Sequence, residues 1–188
     1  MLVAVDWRIV QGQLPRGHLL RFRPEFAAEV WPAAEDARFA SEVGLPYCRG
    51  LFRIQPELAV NDPDSPRMAF LPPLPDGASL QVDTEQGRLQ RLGSVFGARL
   101  YVGLEDGRIW VKDPDGYEDH ELIHGDLSSL AYLLYKLDVE RPAEANPTPR
   151  DWLDAEGFIR EDTTRWDPIP FADKDGYWER FLEHWATI

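Results

Sequence analysis

The sequence predicts an α+β fold: an antiparallel sheet of about four to six strands, flanked by helices, with C-terminal helices packed on the domain. Three observations carry this prediction. Short apolar runs between residues 51 and 123 are separated by tight-turn residues, a spacing that joins consecutive strands antiparallel. Helical periodicity with capping residues brackets those runs, at 33–43 before them and at 126–137 after them. An aromatic stripe at helical spacing closes the chain.

The first helix runs from Ala33 to Val43, just after Pro32, with Phe39 and Val43 four apart. Gly44 offers its C-terminal cap and Pro46 blocks continuation. Strand signals follow at Leu51-Phe52-Arg53-Ile54, at Met68 to Leu71 before Pro72 and Pro73, and at Leu80 to Asp83. Gln86-Gly87 then turns the chain into Arg88 to Phe96. Ala98 to Leu104 alternates, with Leu100, Val102 and Leu104 on one face. Asp106-Gly107 predicts a type I′ turn, whose two central residues both need positive φ, and Arg108 to Val111 returns. After the turn at Asp113-Pro114-Asp115-Gly116, Tyr117 to Ile123 predicts a further strand. Asp126 is a natural N-cap for a helix carrying Leu127, Leu130, Ala131, Leu134 and Leu137 at helical spacing. Arg141 to Arg150 contains three prolines and reads as a connector. Thr148-Pro149 restarts helix as N-cap and first helical residue. Trp178, Phe181, Leu182 and Trp185 then share one helical stripe, as a helix docked on the domain requires.

With 188 residues, the chain is read as a single domain over 1–188: a core at 30–141, a Pro-rich connector at 142–150 and a C-terminal helical segment at 151–188. One cysteine, Cys48, excludes an intrachain disulfide and points to a reducing cytoplasm. Beside Pro46 it reads as a small core residue rather than a nucleophile. The opening apolar run is too short for a signal peptide, and no stretch approaches the ~20 apolar residues of a membrane span. Arginine outnumbers lysine 17 to 3, the bias of a GC-rich bacterial genome.

The formal charge is −13, and its distribution is uneven. Residues 1–60 hold seven basic and seven acidic side chains, so residues 61–188 carry the whole excess. Such a surface repels nucleic acid and anionic membrane and attracts a basic protein, while also serving plain solubility.

His120-Glu121-Leu122-Ile123-His124 spells H-E-x-x-H, in which a helix brings two histidines onto one zinc and the glutamate activates water; Glu140 or Glu144 would be the third ligand. The context predicts strand instead. A turn precedes the motif, Gly125 follows it and Asp126 opens the next helix. In a strand, residues four apart are about 13 Å apart, too far for one zinc. No phosphate-cradling Gly loop, nucleophile elbow or paired-Cys cluster is present, and no cofactor, metal or catalytic residue is expected.

Several segments resemble the SUKH superfamily of bacterial immunity proteins, above all its fourth subgroup. One is the helix from Ala37 that runs into Glu42-Val43-Gly44-Leu45-Pro46, with Leu51-Phe52 soon after. Another is the strand, turn and strand of Leu100-Tyr101-Val102-Gly103 and Gly107-Arg108-Ile109-Trp110-Val111. A third is the capped helix from Asp126 to Tyr135, where His124-Gly125-Asp126 stands in place of an Asn-Ser-Ser-like cap. The closing segment Gly176 to Leu182 is similar to the subgroup's aromatic helix. The likeness spans roughly residues 30–188 and implies a SUKH-like domain that binds and neutralises a cognate polymorphic toxin, such as a nuclease or nucleic-acid deaminase. The family brings no catalytic residues.

The residues that gather acidic charge at one hairpin and its following turn are Glu105, Asp106, Trp110, Asp113, Asp115, Glu118 and Asp119, which are the candidate partner-binding set. An exposed Trp110 among carboxylates suits an anchor with a charged rim; alternatively Trp110 is core and the carboxylates solvate turns. The expected partner is a basic toxin domain, with neither nucleic acid nor membrane. The alternatives are a regulatory protein-binding scaffold of the same fold and a zinc hydrolase using His120, Glu121 and His124.

Overall fold

A computed structural model describes residues 3–114, 120–143 and 146–187. Chain order is α1 (Trp7–Gln13), β1 (Leu19–Leu20), α2 (Pro24–Val30), α3 (Ala34–Glu42), β2 (Leu45–Pro46), β3 (Phe52–Ile54), β4 (Gln81–Thr84), β5 (Gly87–Val95), β6 (Ala98–Gly103), β7 (Ile109–Lys112), β8 (Glu121–His124), α4 (Leu127–Val139), α5 (Pro149–Trp166) and α6 (Tyr177–Trp185). The fold is α+β, and every strand pairing in both its sheets is antiparallel. The main sheet has the order β3-β5-β6-β7-β8, with β4 pairing the N-terminal half of β5 beside β3.

Local chemistry explains the helix boundaries. The Asp126 carboxylate accepts the Ser129 N–H at 2.9 Å and opens α4. Thr148 and Asp151 form a reciprocal capping box at the start of α5, with Pro149 at its first position. The Gly44 N–H bonds the Phe39 carbonyl and ends α3. α4 is apolar nearly all round and runs through the middle of the molecule, against β2, α3, α5 and β8. Trp178, Phe181, Leu182 and Trp185 of α6 are buried in the same core cluster as Leu100, Val102, Ile109 and Val111 of the sheet. The predicted aromatic stripe therefore docks on the domain.

The structure departs from the sequence reading in four places. Met68–Leu71 is not a strand: Arg67–Ala69 is a 3-10 turn, and Phe70 makes only an isolated parallel bridge to Ile54. Pro66 and Pro72 flank this stretch and leave too short a ladder between them. The helices α1 and α2 carry no expectation, since neither exceeds seven residues and both are held by packing rather than propensity. At 106–107 only Gly107 has positive φ, and the Gly107 N–H reaches back to the Gly103 carbonyl, so the hairpin closes through a longer loop than a two-residue type I′ turn. A hairpin turn with both central residues at positive φ is instead formed by Phe96-Gly97, between Val95 and Ala98, where the exposed Phe96 ring leans edge-on against Phe181 at 4.7 Å. Finally, β8 begins at Glu121, and residues 117–119 of its expected span lie outside the described residues.

Candidate functional site

The register of the sheet settles which side chains share a face. Leu100 and Val102 on β6 and Ile109 and Val111 on β7 are at most 1% exposed and face the core. The alternate residues form cross-strand rows on the other face. One row runs Arg53–Ser94–Arg99–Lys112 across β3, β5, β6 and β7. The next runs Arg91–Tyr101–Trp110–Leu122 across β5 to β8. A bulge at Leu92 keeps both rows on the same side of β5.

This geometry divides the acidic candidates. Glu105 and Asp106 are exposed in the loop before β7, and Asp113 follows β7 at its far end. A four-residue strand separates them by roughly 13 Å, so the hairpin turn and the turn after it stand at opposite ends of one strand. Asp106 is engaged locally, accepting the Arg108 N–H at 3.0 Å and pairing with the Arg108 guanidinium at 3.6 Å. Asp113 borders a cleft of about 350 Å³ with Phe96, Tyr177, Arg180 and His184. Asp115, Glu118 and Asp119 lie outside the described residues. Trp110 sits between the two ends on the open face, half-buried and close to Gly103, where a side chain would bring a Cβ within 3.5 Å of the indole nitrogen.

The H-E-x-x-H residues are in strand, and a second bulge separates the histidines. Ile109 pairs with His124 while Trp110 pairs with Leu122, so Ile123 is an extra residue and the alternation shifts by one. His124 therefore faces the core and His120 the open face, where its ring meets Tyr101 at 5.1 Å. Simple alternation along a strand would have put both on one side. Glu121 turns to α6, accepting the Tyr177 N–H at 2.5 Å and pairing with Arg180 at 3.0 Å. Among the described residues, no group of three His, Cys, Asp or Glu side chains could hold a metal ion.

His124, Ser129 and Asp167 meet in the interior and invite comparison with a nucleophilic triad. Their arrangement is different. Ser129 Oγ and Asp167 Oδ2 both gather at Nδ1 of His124, at 2.8 and 3.4 Å, and Ser129 Oγ donates to Asp167 at 2.7 Å. All three residues are buried, so the hydroxyl is closed to substrate. Burial holds the imidazole below its ordinary pKa and outweighs the Asp167 carboxylate beside it. Burial opposes ionisation of Asp167 too, but the hydrogen bonds from His124, the Gly125 N–H and Ser129 hold its carboxyl well below the usual range. Since Ser129 gives its proton to Asp167, His124 Nδ1 is the donor to Ser129. The group ties the end of α5 to the β8–α4 junction. Its signal in sequence was absent, because Asp167 is 43 residues from His124.

Cys48 is a buried core residue whose thiol is pushed far above its ordinary pKa, by burial first and then by the nearby Asp138 charge. It is no nucleophile in this setting. No helix among the described residues is long and apolar enough to cross a membrane.

No curated protein and no solved structure matches the chain. The family model described as SUKH-4 immunity protein matches residues 10–184, which takes in both sheets, the central helix α4 and nearly all of α6. Its span thus covers the strand-turn-strand, the capped helix and the closing aromatic helix whose packing is described above, and the chain belongs to the SUKH-4 immunity protein family.

Proposed function

We propose that the protein is a cytoplasmic immunity protein that binds a cognate polymorphic toxin, a nuclease or nucleic-acid deaminase, and blocks it by occupancy rather than by chemistry. The observation that carries this reading is family membership over residues 10–184. The placement of the polar groups supports it: the histidines of the one motif that spells a hydrolase lie on opposite faces of a strand, and the buried triad has no open nucleophile.

The toxin is basic, and the acidic surface draws it in. Residues 61–188 supply the whole net charge of −13. Glu105 and Asp106 at one end of β7 and Asp113 at the other form an acidic rim on both sides of Trp110, and Asp115, Glu118 and Asp119 add to the acidic charge that follows in the sequence. The rim raises the association rate, and the indole is the anchor. Co-expression with a toxin domain, if one is encoded beside this chain, tests the reading: growth is restored and a stoichiometric complex is recovered. Charge reversal at Asp113, Asp115, Glu118 and Asp119 slows association at low salt. An unchanged on-rate would remove those residues from the site, and a toxin that stays lethal with the protein present would end the immunity reading.

A further inference from the structure

The chain is strongly acidic, yet the open face of its sheet is not. The charged side chains of the two cross-strand rows are Arg53, Arg99, Lys112 and Arg91, all cationic. Several other arginines are ion-paired, as in Arg49–Asp138, Arg160–Glu179 and Arg180–Glu121. Arg53, Arg91 and Arg99 have no ion-pair partner among the described residues, although the chain holds 33 carboxylates. The Nε–H of Arg91 is buried and donates to no acceptor among the described residues. Arg99 is exposed, Arg53, Arg91, Trp110, Leu122 and His120 are half-buried, and Tyr101 lies buried beneath them.

Between the cations lies an aromatic floor. Tyr101 is flanked in register by Arg91 and Trp110 and contacted by the His120 ring. With strands about 4.8 Å apart, the row from Arg53 to Lys112 spans roughly 14 Å, the length of four extended residues. Guanidinium groups beside aromatic rings are matched to carboxylates carried on a chain that also offers apolar or aromatic contact.

We infer that this open sheet face, centred on Trp110 over the buried Tyr101 and edged by Arg53, Arg91 and Arg99, is a docking surface for an acidic segment of a protein partner. The inference deepens the immunity reading and rests on it only for the identity of that partner. A nucleic acid meets the same cations but also the repulsion of a molecule at −13, which acts at long range on every phosphate. A short acidic segment on an otherwise neutral or basic protein escapes that repulsion. The acidic rim then orients the partner, and the cationic floor selects the segment that seats.

The test is a titration of the isotope-labelled full chain, at low salt, with a short peptide of glutamate and tyrosine. Amide shifts that saturate and are confined to residues 52–54, 89–91, 94, 99–103, 108–112 and 120–122 are expected. The Arg53→Gln/Arg99→Gln variant, which leaves the core untouched, weakens binding about tenfold or more. Equal affinity in that variant, or shifts scattered over the molecule, would overturn the inference. So would tighter binding of a short oligothymidylate at the same amides, which assigns the face to nucleic acid, or dimerisation of the protein lost in the variant, which assigns it to a second copy. Once a toxin is in hand, neutralisation unaffected by the variant refutes the face and leaves the immunity reading standing. Peptide binding without neutralisation of any toxin does the reverse.

Discussion

At neutral pH His124 is an uncharged imidazole inside the protein, donating to Ser129, which in turn donates to an ionised Asp167. The sign of its effect on stability follows from its lowered pKa. As pH falls through about 6.5 the unfolded chain takes up a proton that the folded chain refuses, so stability is full above that pH and declines toward the lower folded value. Asp167 acts in the same direction at lower pH, where its contribution is full above about 4 and fades below. Melting temperatures measured between pH 5 and 7 should therefore fall with pH, and His124→Gln should flatten that slope. An identical slope in the variant would mean that another group is responsible. Asp167→Ala leaves the Gly125 N–H without its acceptor and Ser129 Oγ with only the Asp126 carbonyl, and should cost about 2–3 kcal/mol in denaturant unfolding. The H-E-x-x-H pattern shows how little a residue string fixes at this scale. Its letters are present, but a single inserted residue, Ile123, sends the two histidines to opposite faces.

Elements whose boundaries rest on local chemistry were legible in the sequence. Asp126 and Thr148 cap because their side chains reach the first-turn N–H groups whatever lies beyond. Thr148→Ala should destabilise by about 1 kcal/mol, read as a lower denaturation midpoint at unchanged slope. The short elements were not legible. α1 and α2 are each two turns long, and 67–71 has the composition of a strand but no room for a ladder. Sheet assembly adds a constraint that no local pattern reveals. Gly93 stands opposite Ile54, and a side chain there would put its Cβ 2.1 Å from the Arg53 carbonyl oxygen. Gly93→Ala should push β3 away from β5 and cost about 1–3 kcal/mol. Amide exchange at 52–54 should rise first, and unchanged protection there would show that the strand pair absorbs the methyl group.

On the scale of the molecule, charge is partitioned rather than spread. The net −13 lies in residues 61–188, while the same stretch contributes Arg91, Arg99 and Lys112 to a cationic face. A long-range field depends on the total, and a contact depends on the groups within a few ångströms. Association with a basic partner should accordingly slow as salt is raised, with dissociation far less affected. The Arg53→Gln/Arg99→Gln variant should show the converse, an altered dissociation rate with a near-normal salt dependence of association. Rapid-mixing kinetics at two salt concentrations distinguish the two. A loss in the variant that appears wholly in the association rate would count against a seated contact.

By itself, the sequence determined the α+β class, the two capped helices, the docked aromatic stripe of α6 and the acidic total. Each of these depends on periodicity, composition or neighbours a few residues apart. Tertiary structure decided which side chains share a face. Register joins Arg53 to Lys112 across four strands, and bulges at Leu92 and Ile123 choose the side on which each residue points. The buried meeting of His124, Ser129 and Asp167 likewise awaited the return of the chain at the end of α5. Side-chain direction in a sheet reverses with every residue, so one inserted position redraws a surface that composition alone cannot describe.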